Sequence, residues 1–155
     1  MKIAIVQVRG AIGMSKKVKD TLKFLRLHRK NGCVIVEPTD SVKGMIFKVK
    51  DYVTWGEVTP ETVKLLLSKR GRIVGDKVLT EDYLKQKLKL DFDTLVKEFF
   101  DSKRKLTDIP GFKNYFRLHP PKKGFEAGGI KKPFAIGGAL GDRREHINDL
   151  IMRMV

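Results

Sequence analysis

The chain has 155 residues, with 33 Lys and Arg against 18 Asp and Glu, which gives a formal net charge of +15. A charge of this size indicates a polyanionic partner, with nucleic acid the first candidate and an anionic membrane surface the second. No apolar run approaches the ~20 residues that a membrane-spanning helix requires, so we expect no membrane span. The single cysteine, Cys33, rules out an internal disulfide and fits a reducing cytosol.

Residues 1–57 predict a β-α-β-α-β core. Apolar residues on both faces of the segment 2–9 indicate a central strand. The pattern then predicts a helix over 15–26, a strand over 33–36, a second helix starting at Thr39 or Asp40, and a third strand over 52–55. Together these elements predict an α/β fold of ferredoxin-like character, with a small sheet, both helices on one face and no final strand.

The first predicted helix has a charge distribution that its own stability does not favour. Ser15 is its candidate N-cap, and Val18, Leu22 and Leu25 form a narrow apolar stripe. The first turn carries only basic charge, although the positive end of the helix dipole prefers acidic residues. A solvated lysine face is the plain interpretation, whereas a bound phosphate would use the lysines, the dipole and the free N–H groups together. The predicted RNA contacts here and in the following loop are Lys16, Lys17, Lys19, Lys23, Arg26, Arg29 and Lys30.

The second predicted helix presents an apolar face made of Val42, Met45, Ile46 and Val49. Gly44 lies in its middle at a cost of roughly 1 kcal/mol relative to Ala, so we expect RNA or a neighbouring element to approach the backbone there. Arg9, at the end of the first strand, and Lys43, on this helix, are secondary candidates for RNA contact.

Residues 58–108 predict a helical extension that is less basic than the core. Thr59-Pro60-Glu61 starts a first helix that Gly71 closes, Thr80 starts a second, and Asp91 or Asp93 starts a third. The segment 72–78 is ambiguous. We interpret the extension as a structural layer, in which an exposed Phe99 or Phe100 would be a candidate protein contact.

Residues 109–141 predict a long basic loop rich in Gly and Pro. Six Lys and Arg residues face one acid, Glu126, and five aromatic residues are interleaved. A disordered linker and the lid of an enzyme are two interpretations. We favour a third, in which the segment becomes ordered on RNA and its basic and aromatic side chains contact phosphates and bases. The predicted RNA contacts in it are Arg117, His119, Lys122, Lys123, Lys131 and Lys132.

Residues 142–155 predict a C-terminal helix that docks on the core. Asp142 and Glu145 stand at the spacing of a capping box, and Ile147, Leu150, Ile151 and Met154 form one apolar face.

The sequence offers no catalytic or metal-binding constellation. His28, His119 and His146 are scattered, so we expect no metal site and no cofactor. The run from Gly137 to Gly141 lacks the Lys-Ser/Thr of a phosphate loop, and no carboxylate lies near His119 in sequence to make it a base. Residues 1–9 are too short for a secretory signal and carry no cleavage site.

Several runs together resemble the L30 family of large-subunit ribosomal proteins. The opening strand with Arg9-Gly10-Ala11-Ile12-Gly13 is followed at the right spacing by the basic helix, by Val36-Glu37-Pro38-Thr39-Asp40 and by the run from Lys43 to Val49. Bacterial members are similar over this part only. The additional hundred residues, with Arg117-Leu118-His119-Pro120-Pro121 before a Gly-rich basic stretch, resemble the archaeal form.

This resemblance implies a structural, non-enzymatic component of the large ribosomal subunit in the cytoplasm. It implies that the partners are large-subunit rRNA, at a position near the 5S rRNA, and neighbouring ribosomal proteins, with no membrane and no small-molecule substrate. A free-standing RNA-binding regulator or RNA chaperone is the alternative. A hydrolase or transferase acting on an anionic substrate would require a catalytic pair that the sequence does not supply.

Overall fold

The computed structural model describes all 155 residues and is built on an antiparallel three-stranded sheet. Its strands are β1 (Ile3–Gln7), β2 (Gly32–Val36) and β3 (Val53–Glu57), with β1 in the centre. Ile5 of β1 lies opposite Val34 of β2 and Trp55 of β3. Every residue of β1 is buried, as the apolar residues on both of its faces predicted.

Two helices cover one face of this sheet. They are α1 (Lys16–Phe24) and α2 (Asp40–Val49), and their apolar stripes pack on Ile3, Ile5 and Val34. The predicted α/β fold with a ferredoxin-like core and both helices on one face is therefore confirmed.

Four further helices follow, and they build a larger core that includes the other face of the sheet. They are α3 (Pro60–Arg70), α4 (Glu81–Leu88), α5 (Phe92–Phe100) and α6 (Ile147–Met154). Their apolar residues share one cluster with Ala4, Val6 and Cys33 of the sheet. The turn that precedes α6 approaches β3 so closely that a Cβ on Gly56 would overlap the carbonyl of Arg144. No helix is long and apolar enough to cross a bilayer.

The sheet has five strands rather than the three that the sequence predicted. β4 (Phe116–Arg117) pairs antiparallel with β2, and β5 (Gly141–Asp142) pairs parallel with β3, which gives the order β4-β2-β1-β3-β5. Each added strand has only two residues, too few to show the alternation from which a strand is predicted. Residues far along the chain therefore cover both edges of the N-terminal sheet.

The predicted helix starts are right for α2, α3 and α4. The hydroxyls of Thr39, Thr59 and Thr80 accept the backbone N–H groups of Val42, Thr62 and Tyr83, respectively. Ser15 occupies the N-cap position of α1 but makes no side-chain cap, so that α1 begins without acidic residues and without a cap.

The predicted capping box at the C-terminal helix is wrong. The Asp142 carboxylate accepts the N–H of Arg144, two residues on, in a local turn. A single 3₁₀ turn over Arg144–His146 follows, and α6 begins only at Ile147. The predicted apolar face of α6 is confirmed, because Ile147, Leu150, Ile151 and Met154 are all fully buried.

Gly71 closes α3 as predicted, whereas two smaller predictions need correction. The φ of Gly71 is −59°, and a Cβ at this position would overlap the carbonyl of Leu67. No other part of the chain lies within 4 Å of a Cβ built on Gly44, so no neighbouring element explains this glycine. Phe99 is buried and Phe100 half-buried, whereas the exposed phenylalanines are Phe24 and Phe47.

Candidate nucleic-acid interface

The basic residues of α1 and its following loop form one uncompensated surface. All seven side chains are exposed, and none of them takes part in an ion pair. Asp20, the only acid of α1, is half-buried and also makes no ion pair. The structure therefore leaves this set, which we call the α1 surface, free to neutralise an external anion: Lys16, Lys17, Lys19, Lys23, Arg26, Arg29 and Lys30.

The C-terminal end of α1 turns sharply, in a geometry that sets the direction of Arg26. The N–H of Leu27 donates to the carbonyl of Leu22 at 2.8 Å, and the N–H of Arg26 donates to that of Lys23 at 2.9 Å. This pair of bonds is the Schellman motif, whose turning residue adopts a left-handed conformation and is usually glycine. Here the turning residue is Arg26, with a φ of +60°.

A short loop then returns the chain to the sheet. The N–H of Gly32 donates to the carbonyl of Arg29 at 3.0 Å, and the N–H of Asn31 donates to that of Gln7 at 2.8 Å. Asn31 has a φ of +63°, a conformation that asparagine tolerates better than most residues. This tight return leaves Arg29 and Lys30 exposed at its tip.

The pairing of β4 with β2 brings Arg117 to the same place. Arg117 lies opposite Gly32 in the sheet, beside the loop that follows α1. A cleft of about 200 Å³ opens between β4 and the loop that follows α1. We call it the arginine cleft; its lining residues are Arg26, His28, Arg29, Gly32, Tyr115 and Arg117.

The other predicted contacts of residues 109–141 are not brought together with Arg117. The backbone N–H groups of His119 and Lys122 donate to the carbonyls of Met154 and Arg153, both at 2.9 Å, so they lie at the end of α6. The backbone carbonyl of Lys132 accepts a hydrogen bond at 3.1 Å from the N–H of Leu140, the residue just before β5. Four strand spacings of about 4.8 Å separate β4 from β5, so the two edges of the sheet are roughly 19 Å apart. The side chains of His119, Lys122, Lys123, Lys131 and Lys132 are exposed and make no ion pair.

A buried arginine ties the basic segment to the body of the protein. Arg143 is 2% exposed and binds the Glu126 carboxylate through both terminal nitrogens. Its Nε donates to the Thr54 hydroxyl at 3.0 Å, and its Nη2 to the carbonyl of Ala139 at 3.1 Å. Burial is the largest single effect and raises the pKa of Glu126, but the hydrogen bonds to this carboxyl and the charges of Arg143 and Arg153 together hold its pKa below the ordinary value. The only acid between 109 and 141 is thus used internally, and Lys122, Lys123, Lys131 and Lys132 have no acidic partner.

Arg9 and Lys43, the secondary candidates for RNA contact, both contact other residues of the protein. Arg9 is half-buried, donates to the carbonyl of Asp51 at 3.2 Å and lies over the Tyr52 ring. Lys43 is exposed and contacts Asp40 at 3.3 Å.

Several exposed side chains around these surfaces were not predicted as contacts. Tyr115 and His28 meet in the arginine cleft only because β4 pairs with β2, and no local pattern signals that pairing. Phe24 and Phe47 are exposed beside lysines, with Lys50 4.5 Å from the centre of the Phe47 ring. Phe24 lies off the apolar stripe of α1, and this position could have signalled its exposure.

Comparison with known proteins decides the family. A family model described as ribosomal protein L30p/L7e matches residues 3–53. The large ribosomal subunit protein uL30 of Methanococcus vannielii is 50% identical over 155 residues, which is all of both chains. The chain belongs to the uL30 family. The uL30 of Nanoarchaeum equitans is 50% identical over 98% of this chain and 97% of its own, and that of Methanopyrus kandleri is 45% identical over 96% of this chain and all of its own.

These uL30 relatives extend the match well beyond the core. The family model ends at the start of β3, whereas the archaeal relatives align along nearly the whole chain, through α6. The predicted resemblance to the archaeal form of the family is therefore confirmed.

Proposed function

We propose that this chain is a structural component of the large ribosomal subunit, where it binds and stabilises large-subunit rRNA in the cytoplasm. It performs no catalysis. The observation that carries the proposal is the 50% identity to an archaeal uL30 over all 155 residues. The partners we propose are rRNA, including a contact near the 5S rRNA, and neighbouring ribosomal proteins.

The charges of the α1 surface support RNA as the main partner. Its lysines surround a helix start that has neither an acidic residue nor a side-chain cap, so the first N–H groups of α1 are open to an anion. A phosphate group at this position is attracted by the lysines, the N–H groups and the helix dipole. Contacts of this kind supply affinity and position, with little discrimination between sequences.

Sedimentation of a native lysate through a sucrose gradient tests the proposal directly. We expect the protein to travel stoichiometrically with the large subunit and to leave it only when magnesium chelation dismantles the particle. A protein that stays mainly near the top of the gradient would instead be the free-standing RNA-binding regulator.

The salt dependence of binding tests the α1 surface itself. Replacing Lys19 and Lys23 together by Ala is expected to flatten the plot of log K against log salt by roughly one unit per lost phosphate contact. The probe is large-subunit rRNA transcribed in vitro. The matched control replaces Lys87 and Lys89, on and just after α4, which removes the same charge and should leave the slope unchanged. Equal slopes for the two double variants would contradict a role for the α1 surface.

A further inference from the structure

We propose that the arginine cleft holds one unpaired nucleotide of the bound RNA, with its phosphate on the guanidinium groups and its base against the Tyr115 ring. The inference rests on the proposed function, and it adds to it a defined pocket and a single-stranded ligand.

The convergence of three arginines is the first observation. Arg26 follows α1, Arg29 lies in the next loop and Arg117 belongs to β4, yet all three line one cleft. The only carboxylate bound to any of them is that of Asp76, which lies 3.6 Å from Arg117. The Asp76 carboxylate also binds Lys113 at 2.8 Å, so its single negative charge does not neutralise the three arginines of the cleft. Guanidinium groups match phosphate oxygens in pairs of parallel hydrogen bonds, and a phosphate here would relieve their mutual repulsion.

Two aromatic rings make the cleft suitable for a base as well. The Tyr115 and His28 rings meet edge to face, with their centres 5.9 Å apart. The Tyr115 hydroxyl accepts a hydrogen bond from Arg117 at 3.4 Å, and the guanidinium carbon of Arg117 lies 5.7 Å from the centre of the Tyr115 ring. Proteins recognise unpaired bases by stacking them on aromatic rings and guanidinium planes, whereas a paired base is already stacked within its helix.

The backbone of Arg26 adopts a conformation that glycine would favour. A left-handed residue at the end of a helix is strained unless it is glycine, so the stability of α1 alone would select glycine at this position. Six other residues that are not glycine also have a positive φ, so this conformation sets where the Arg26 side chain leaves the helix but does not by itself indicate a function. Asn31, at the other end of the same loop, also has a positive φ, and its buried Oδ1 has no hydrogen-bond partner in the protein.

The chain contains a matched control for Arg26. Lys89 ends α4 in the same left-handed conformation, with a φ of +55°, and it also carries one positive charge. Arg26→Gly and Lys89→Gly should therefore both raise Tm, by roughly 2–4 °C, because each relieves backbone strain at a helix end. We therefore expect both variants to fold, and each removes one positive charge at the end of a helix.

Fluorescence anisotropy with two RNA probes then tests the cleft. The probes are a 12-nucleotide oligouridylate and a blunt 12-base-pair RNA duplex, measured at the same salt concentration. We expect Arg26→Gly to weaken binding of the single strand about tenfold and binding of the duplex no more than Lys89→Gly does. Tyr115→Leu, which keeps an apolar side chain in the core, should also weaken the single strand selectively.

The outcomes separate this proposal from the one on which it rests. If Arg26→Gly and Lys89→Gly affect both probes equally, the cleft is not a nucleotide site, while co-sedimentation with the large subunit still supports the ribosomal role. If the wild-type protein does not sediment with the large subunit, the proposed function itself fails.

Discussion

Replacing Glu126 by Gln removes the carboxylate that faces the buried Arg143, without changing the size of the side chain. The Arg143 side chain is 1% exposed, so the variant leaves a guanidinium group buried without its counter-charge. Breaking a buried pair in this way costs about 3–5 kcal/mol. The Glu126 side chain is 23% exposed, and the guanidinium keeps its bonds to Thr54 and Ala139, so we expect the lower end, about 3 kcal/mol.

Calorimetry measures this change as a fall in Tm of roughly 6–12 °C, since 1 kcal/mol shifts Tm by about 2–4 °C for a chain of this size. The control is Asp93→Asn, which neutralises a carboxylate 2.6 Å from Lys64 in an exposed pair. An exposed pair contributes at most about 1 kcal/mol, so the control should shift Tm by a few degrees or less. A fall in Tm for Glu126→Gln no larger than that of the control would refute the reasoning.

The pH dependence of the same variant gives a second check. The pKa of Glu126 is lowered in the folded protein, so its ionised form stabilises the fold at and above the pKa of an unfolded glutamate, about 4.3. This contribution is lost as the pH falls through the lower pKa of the folded state. The difference in Tm between wild type and Glu126→Gln should therefore be constant from about pH 5.5 to 7 and shrink below pH 4.

Three further substitutions or reagents test other parts of the structure. Gly44→Ala should stabilise the protein by about 0.5–1 kcal/mol in urea unfolding, because Gly44 is exposed within α2 and its added methyl group meets nothing within 4 Å. Reduced binding of this variant to rRNA would show that RNA approaches the backbone there. Gly56→Ala should lower the midpoint of urea unfolding instead, because its methyl group would overlap the carbonyl of Arg144. Burial raises the pKa of the Cys33 thiol to about 12, so a thiol reagent at pH 8 should modify unfolded chain and spare native protein.

Local patterns predicted the N-terminal half of the fold because its elements are long enough to show their periods. β1, α1 and α2 each repeat apolar residues over several positions, and their burial follows the repeat. The helix starts at Thr39, Thr59 and Thr80 were predictable for the same reason, since a cap involves residues only three positions apart.

The C-terminal third was harder to predict because its main contacts are not local. Arg117 pairs with Gly32, and Glu126 with Arg143, and neither contact leaves a repeat in the sequence. Asp142 and Glu145 stand at the spacing of a cap, yet the Asp142 side chain closes its own turn instead. The sequence also gave no reason to separate Arg117 from the later lysines, which lie at the end of α6 and near the opposite sheet edge.

Only part of the candidate site could be predicted from the sequence. The α1 surface could be predicted as a unit, because seven basic residues within 15 positions share one helix and its loop. The arginine cleft could not, because His28 and Tyr115 stand far apart in the chain and meet only in the folded sheet. The roles of both surfaces in RNA binding stay predictions that the experiments above test.

The two short edge strands bear on how the chain behaves during its own synthesis. Residues 3–57 contain the whole three-stranded sheet, but the segments that cover its edges are made later, at 116–117 and 141–142. At about 5–20 residues per second, the ribosome needs roughly 4–17 s to add the residues between β3 and β5. Until β4 and then β5 are made, the nascent sheet has unpaired N–H and C=O groups along its edges, where a strand of another chain could add. Completion of the C-terminal third adds a two-residue strand to each edge, so the basic extension also reduces the length of edge that is open to aggregation.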